Sequence, residues 1–257
     1  SKRNLNGVTD VVVLKGRSQG IINKVFKYII FYLQSFFKPL ICRYDVIYIH
    51  FLTYSPVLIN FLSRIKDLLL VINVHGGDVL TRSSFAEQLK QFNRPLLRKS
   101  KLIVSPSLYF RNILMQEFPE LNSSKIIVSP SGGVNTKLFV PKVKDNIDCF
   151  NIGYVSRIDE GKGWDIFIKT VVLLKKRGFN VKAEMVGRGS QILELKNMLK
   201  EYQMEDDIIY VGAIAYKDLP NIYPHFDLFV FPTQLFESLG LVAIEAMSCG
   251  IPVIGNK

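Results

Sequence analysis

The sequence is poor in cysteine and has no apolar run long enough to cross a lipid bilayer. Its three cysteines, Cys42, Cys149 and Cys249, contain no Cys-x-x-Cys pair. This spacing excludes a disulfide framework and a cysteine-based zinc site, and it favours the reducing cytosol. The longest uncharged stretch of the aromatic segment near the N-terminus runs from Tyr28 to Phe37, and a membrane-spanning helix needs about 20 residues. A G-x-x-x-x-G-K-[ST] phosphate loop is also missing.

The charge is unevenly distributed along the 257 residues. Lys and Arg outnumber Asp and Glu by 20 to 7 in residues 1–142, whereas residues 143–257 hold 13 and 15. The composition, 48% hydrophobic and 21% charged, is that of a globular protein long enough for two domains. We therefore expect two domains with different partners. The basic half suits nucleic acid, an anionic membrane surface or a phosphorylated substrate, or it is simply a solvated basic face.

Residues 21–41 combine apolar, aromatic and basic side chains. Lys24, Lys27, Gln34 and Lys38 keep one side of a helix polar, and this pattern fits a helix that lies in a membrane interface. The alternative is an ordinary helix packed on a sheet. The N-terminus has no apolar stretch close behind it and gives no sign of a signal peptide. We expect a cytoplasmic protein, which the membrane interpretation would place on the inner face of the cell membrane.

Short β-branched runs that end in Gly, Ser or Pro alternate with helical stretches, which is typical of parallel sheets covered on both faces. The runs form two series. The first series is Val11–Leu14, Asp45–His50, Leu69–His75, Leu102–Val104 and Ile126–Val128, and the second is Phe150–Val155, Lys182–Val186, Ile208–Val211, Leu228–Phe231 and Val253–Ile254. We predict an α/β protein of two tandem Rossmann-like, doubly wound domains, residues 1–140 and 141–257. Their strands should end at a common cleft.

Three predicted strand ends of the second domain carry glycine or cationic side chains. After Phe150–Val155, Arg157 and Lys162 lie in a glycine-bearing loop that opens a helix, and this arrangement suits a phosphate group. Gly187-Arg188 follows the next strand and Val211-Gly212 ends the one after. Glycine at such a turn lets a ligand approach the backbone closely. Taken singly, each pattern also fits an ordinary exposed loop.

The most informative segment follows the strand Leu228–Phe231. It leads through Glu237 into a helix that is predicted to begin near residues 238–240, and Glu245 lies within that helix among apolar neighbours. The helix start offers unpaired backbone N–H groups to a diphosphate, those of Ser238, Leu239, Gly240 and Leu241. The carboxylate of Glu245 needs a partner, for which a ribose diol is suited. Alternatively, Glu237 caps the helix and Glu245 faces water.

A histidine ends a strand in the first domain. His75 is followed by Gly76 and Gly77, and a strand end that opens to a cleft is an expected place for a catalytic side chain. A lone histidine is nevertheless more often structural. His50 also ends a predicted strand and is the rival candidate.

Taken together, these motifs resemble the family-4 retaining glycosyltransferases of the GT-B fold, also called glycosyl transferases group 1. The resemblance spans nearly the whole chain. It is carried by five motifs in order: His75-Gly76-Gly77-Asp78, the hinge-like residues 130–139, the Arg157/Lys162 loop, Gly187-Arg188-Gly189, and Glu237 with Glu245.

The resemblance implies retaining transfer of a sugar from a nucleoside diphosphate sugar of the UDP or GDP type. It implies neither a metal nor another cofactor, in agreement with the lack of an Asp-x-Asp motif. Arg157 and Lys162 would stabilise the leaving diphosphate, helped by the N–H groups of residues 239–241. Glu237 would contact the sugar hydroxyls and Glu245 the ribose. The remaining candidates would position the sugar (His75, Gly76) or lie near the base (Gly187, Arg188, Val211, Gly212).

The acceptor is expected to be a lipid-linked or surface-polysaccharide glycan. The family's glycine-rich loop after the first strand is not recognisable, and the chain stops where the family continues, so we expect a sequence incomplete at both termini. A sugar-nucleotide epimerase of similar architecture and a non-catalytic binding or scaffold protein are the alternatives. Nucleic acid is not an expected partner, because the basic excess carries no recognisable recognition motif.

Overall fold

A computed structural model describes residues 20–81, 83–130, 132–142, 149–237 and 239–256. The chain forms two compact units, Ser1–Ser131 and Gly132–Lys257. The predicted strand Val11–Leu14 and Ser238 lie outside the described residues. The boundary between the two units thus lies before the predicted domain boundary at residue 140. Phe139 accordingly belongs to the second unit, where it is fully buried in the core.

The first unit contains a parallel sheet whose four described strands follow the order β1-β2-β3-β4. The strands are β1 (Ile47–His50), β2 (Leu70–Asn73), β3 (Leu102–Ser105) and β4 (Ile126–Val128). The helices are α1 (Ile21–Ile41), α2 (Val57–Leu62), α3 (Gly76–Val79), α4 (Ser84–Lys99) and α5 (Leu108–Glu117). Ser83 and Ser107 cap α4 and α5, because each side-chain oxygen accepts a hydrogen bond from a first-turn N–H group.

The core of the first unit is mainly apolar, but it also contains the buried cation Lys90. Leu96, Leu97 and Phe110 are fully buried with the strand residues of β2 and β3. The Lys90 side chain is only 4% exposed, and its Nζ lies 2.7 Å from Glu87 and 2.5 Å from Glu117. It also donates a hydrogen bond to the carbonyl oxygen of Val79, at the end of α3. Pairing of this kind is what makes a buried charge tolerable.

The second unit contains a five-stranded parallel sheet of order β7-β6-β5-β8-β9. The strands are β5 (Phe150–Val155), β6 (Val181–Val186), β7 (Ile208–Gly212), β8 (Leu228–Phe231) and β9 (Val253–Gly255). The helices are α6 (Trp164–Lys176), α7 (Ile192–Glu201) and α8 (Leu241–Ser248). The strand order reverses beside β5, so this sheet is doubly wound. The crevice beyond β5 and β8 is where such folds bind ligands.

The predicted α/β fold class is confirmed, and every described strand overlaps one of the predicted runs. Helix α8 begins at Leu241, one residue beyond the predicted range for its start. Gly240 precedes it with φ 66° and ψ 53°, a left-handed conformation. Glycine adopts this conformation without the steric cost that a side chain brings.

Candidate functional site

Three loops pack together at the carboxyl ends of β5, β6 and β8. The N–H group of Ile158 donates to the carbonyl oxygen of Arg188 at 3.1 Å, and Gln234 donates to Gly161 at 2.8 Å. The close approach of the loops after β5 and β8 also requires glycine at position 163. A Cβ atom added to Gly163 would lie 2.0 Å from the carbonyl oxygen of Pro232. The glycines of the predicted phosphate loop therefore let that loop lie directly against the loop after β8.

Lys162 and Glu237 meet at this point, although 75 residues separate them in sequence. The Nζ of Lys162 forms an ion pair with the Oε1 of Glu237, and the two side chains are 11% and 28% exposed. The hydroxyl of Thr233 donates to the same Oε1 at 3.3 Å. Two candidates taken from separate motifs thus share one site. The residue at the N-cap of α8 is Gly240, and the carboxylate of Glu237 is paired with Lys162.

Arg157 lies on the same loop as Lys162 and is paired differently. Its guanidinium donates to the Oδ2 of Asp159 at 2.8 Å, and its side chain is 65% exposed. The Oδ1 of Asp159 accepts from the N–H group and the hydroxyl of Ser190, at 2.7 and 2.9 Å. These Ser190 hydrogen bonds lower the pKa of Asp159. Sequence reasoning missed Asp159, and its position two residues after Arg157 is the only signal that pointed to it.

Tyr154, on β5, holds the loop that carries Arg157 and Lys162 (the cation-bearing loop) through its hydroxyl group. Its phenol donates to the carbonyl oxygens of Arg157 and Lys162, each at 3.2 Å. The ring is 1% exposed, and burial raises the pKa of its hydroxyl. The hydroxyl therefore stays protonated and available as a donor. In the sequence, this residue is indistinguishable from any other buried strand position.

Glu245 is buried, at 4% exposure, so the alternative that it faces water is wrong. Its Oε2 accepts a hydrogen bond from the hydroxyl of Tyr223 at 2.8 Å. Burial raises the pKa of Glu245, and the Tyr223 hydrogen bond offsets only part of that effect. The partner that this carboxylate needs is thus present within the protein. Sequence reasoning did not identify Tyr223.

The glycine turns predicted near the base lie side by side. The N–H group of Gly187 donates to the carbonyl oxygen of Gly212 at 2.8 Å, and Tyr210 donates to Gly187 at the same distance. Arg188 and Val211 are exposed beside them. At the start of α8, Leu239 and Gly240 are half-buried and Leu241 is exposed. The second unit thus brings three cations (Arg157, Lys162 and Arg188), exposed turns and the start of a helix to the carboxyl edge of its sheet, a combination suited to phosphate groups.

His75 belongs to the first unit, where it directly precedes α3. Its backbone N–H group donates to the carboxylate of Asp78 at 3.0 Å, and Gly76 is buried beside it. Its ring lies 5.8 Å from the His50 ring and 4.4 Å from that of Phe51. Burial lowers the pKa of His75, against the opposing effect of Asp78. Burial therefore favours the neutral form of the imidazole.

Helix α1 carries the apolar and basic side chains noted in the sequence. Ile22, Phe26 and Ile29 are 85%, 62% and 50% exposed. The other side of the helix is attached to the first unit, through hydrogen bonds such as that from the hydroxyl of Tyr32 to the carbonyl oxygen of Tyr54. Among the helices formed by the described residues, none combines the length and apolarity needed to cross a membrane.

Comparisons with known proteins bear directly on the second unit. Residues 141–257 match the family model described as glycosyl transferases group 1. An amylovoran biosynthesis glycosyltransferase, AmsK of Erwinia amylovora, is 25% identical over 221 residues, which cover 83% of this chain and 53% of that protein. A D-inositol 3-phosphate glycosyltransferase of Paenarthrobacter aurescens is 30% identical over 137 residues, or 49% of this chain and 33% of that protein. The chain thus spans about half or less of these relatives.

Solved structures resemble the chain over most of its length. HepE of Anabaena in complex with UDP has a TM-score of 0.67 at 20% identity, covering 92% of this chain and 65% of that one. A glycosyltransferase of Rickettsia africae has a TM-score of 0.67 at 18% identity, and the match covers 94% of this chain and 64% of that one. At such low identity these likenesses establish the fold alone, and it is the GT-B fold expected from the sequence.

Proposed function

We propose that this chain carries the donor-binding part of a glycosyltransferase, because residues 141–257 match the family model described as glycosyl transferases group 1. The observation that supports the proposal is the meeting of Lys162 and Glu237 beside the strand-order reversal, with Arg157 on the same loop. Cations at this position suit a nucleoside diphosphate sugar, and a neighbouring carboxylate suits sugar hydroxyls. Among the solved relatives, HepE was crystallised with UDP, which supports a nucleotide donor here.

The roles follow from the charges of the residues. Arg157 and Lys162 neutralise the diphosphate as it leaves, helped by the N–H groups at the start of α8. Glu237 accepts hydrogen bonds from the sugar. Glu245 accepts hydrogen bonds from the ribose in addition to the one from Tyr223, with the base beside the turns at Gly187-Arg188 and Val211-Gly212. His75 and Gly76 of the first unit contribute to sugar binding.

The proposed reaction retains the configuration of the sugar and uses no metal. The acceptor oxygen bonds to the anomeric carbon on the face from which the diphosphate departs, while the bond from that carbon to the phosphate oxygen breaks. The acceptor proton passes to the leaving phosphate oxygen, so that no side chain acts as a dedicated base. The protein's contribution is then electrostatic stabilisation of the leaving group.

Calorimetric titration with UDP and with GDP tests the donor site. A charge-assisted hydrogen bond contributes about 1.5–3 kcal/mol. Lys162→Ala should therefore weaken the binding of the cognate nucleotide by about tenfold or more. Arg157→Ala should cost less, because a mostly exposed charge is well screened. Lys169→Ala, which removes an exposed cation on α6, is the matched control. Unchanged affinity for both nucleotides in both site variants would contradict the proposal.

The acceptor that we propose is a lipid-linked or surface-polysaccharide glycan. Support comes from AmsK, whose name assigns it to amylovoran biosynthesis. Product analysis by mass spectrometry identifies the acceptor. It also separates transfer from epimerisation, since an epimerase would isomerise the donor sugar without any acceptor.

Peripheral contact with an anionic membrane surface, on the cytoplasmic side, is the final part of the proposal. Helix α1 offers exposed apolar side chains beside Lys24 and Lys27, a combination that binds anionic interfaces. The chain should sediment with phosphatidylglycerol vesicles more than with phosphatidylcholine vesicles, and Phe26→Ser should reduce this. Leu193→Ser, on α7 of the second unit, is the control. Equal sedimentation with both vesicle types would argue against a preference for anionic membranes, and sedimentation with neither would argue against membrane contact.

A further inference from the structure

The ion pair between Lys162 and Glu237 joins two groups that are assigned to different parts of the donor. Lys162 is the cation for the diphosphate, and Glu237 is the carboxylate for the sugar. In this structure they neutralise each other. A phosphate oxygen that approaches Lys162 therefore competes with the Oε1 of Glu237 for the same ammonium group.

The burial of the pair makes this competition significant. Only 11% of the Lys162 side chain is exposed, so its ion pair with Glu237 is largely withdrawn from water. Glu237 is also held by the hydroxyl of Thr233. Charges that are partly withdrawn from water interact more strongly than fully exposed ones. Displacing Glu237 therefore carries a cost for any ligand that places a phosphate at Lys162.

Arg157 provides an internal contrast. Its guanidinium also has a carboxylate partner, but 65% of its side chain remains exposed. That partner, Asp159, is fixed by two hydrogen bonds from Ser190. A phosphate can approach the exposed side of Arg157 while Asp159 stays in place. Competition for the cation is thus specific to Lys162.

We propose that Glu237 is a specificity-determining residue, whose ion pair with Lys162 weakens the binding of a bare nucleoside diphosphate relative to the diphosphate sugar. This inference rests on the proposed function. Both ligands displace the carboxylate from Lys162. Only the sugar conjugate, however, places the hydroxyl groups of a sugar beside the displaced carboxylate, where they donate hydrogen bonds that replace the ion pair with Lys162. The site consequently retains the donor and releases the diphosphate product.

Calorimetry on Glu237→Gln tests the inference. The wild-type chain is first titrated with UDP and GDP, and the nucleotide that it binds is used thereafter. The variant removes the competing charge, so the Kd for the nucleoside diphosphate should fall roughly fivefold. The Kd for its sugar conjugates (UDP-glucose and UDP-N-acetylglucosamine, or GDP-mannose) should not fall in step, because the variant lacks the acceptor for the hydroxyl groups. The preference for donor over product should therefore shrink.

Two further variants separate the ion pair from general electrostatics and from misfolding. Glu160→Gln makes the same change of charge at an exposed position of the same loop and should leave the preference unchanged. Glu237→Asp keeps the charge but withdraws the carboxylate by one methylene, which should weaken its ion pair with Lys162. It should also tighten binding of the bare diphosphate. If neither Glu237 variant binds the diphosphate more tightly than wild type does, the inference is wrong. If wild type binds neither nucleotide, the proposed function fails and the inference with it.

Discussion

Substitution of Gly163 by alanine tests how closely the cation-bearing loop packs on the loop after β8. Gly163 has φ 73° and ψ 18°, and an added Cβ would lie 2.0 Å from the carbonyl oxygen of Pro232 and 2.7 Å from its carbonyl carbon. Both atoms belong to backbone, which yields less easily than a flexible side chain. The variant therefore combines an unfavourable backbone conformation with a steric clash.

Gly178 offers a matched control, because it separates these two effects. Its φ of 82° is similarly left-handed, but an added Cβ would meet no atom within 4 Å. Gly178→Ala should thus lower the free energy of unfolding by the backbone term alone, about 1–2 kcal/mol. Gly163→Ala should cost a further 1–3 kcal/mol or so, the usual range for overpacking. At about 3 °C per kcal/mol, the two Tm values should differ by several degrees.

The chain contains a single tryptophan, Trp164, which is 6% exposed and adjacent to Gly163. Urea unfolding followed by tryptophan fluorescence therefore reports on the second unit specifically, an advantage in a chain of two units that need not unfold together. Gly163→Ala should also weaken nucleotide binding, because Lys162 is displaced with the loop. Equal stability of the Gly163 and Gly178 variants would refute the close packing that we describe.

Three other predictions concern buried polar groups. Burial raises the pKa of Glu245 above its ordinary value of 4.5, so the free-energy cost of ionising this carboxyl group is absent below pH 4.5 and grows as the pH rises. Glu245→Gln should therefore raise the Tm of the second unit more at pH 8 than at pH 5. Equal increases in Tm at the two pH values would contradict this. Lys90→Met leaves two carboxylates without their buried cation and should lower the free energy of unfolding, followed by circular dichroism, by about 3–5 kcal/mol. Lys169→Met, at an exposed ion pair, should change the free energy of unfolding by less than about 0.5 kcal/mol. Tyr154→Phe removes the donor to the cation-bearing loop; it should cost about 1 kcal/mol in urea unfolding and weaken nucleotide binding, and full retention of both would show that the loop needs no such support.

The resemblance to group 1 glycosyltransferases could be inferred from sequence because its motifs lie at strand ends, which local patterns identify. The family match of residues 141–257 and the glycosyltransferase relatives confirm it. The strands were found because apolar, β-branched runs bounded by turn residues are a local signal. The start of α8 was predicted slightly early, because the left-handed conformation of Gly240 separates the helix from the residues before it.

The partners of the site residues could not be predicted. Asp159 meets Ser190 across 31 residues, and Tyr223 meets Glu245 across 22. Neither pair leaves a periodic or compositional trace. Which carboxylate is buried, and therefore which pKa rises, depends on the packing around α8 rather than on the apolar neighbours of Glu245 in sequence.

By itself, the sequence determined the order of strands and helices, the difference in charge between the halves, and which residues end strands with phosphate-binding chemistry. These properties depend on residues a few positions apart. Only the tertiary structure decided that Lys162 forms an ion pair with Glu237, that the side chain of Arg157 stays mostly exposed to solvent, and that Gly163 lies against Pro232. Such contacts arise when parallel strands bring distant loops to one edge of a sheet, and the reversal beside β5 is what makes the loops after β5 and β8 neighbours.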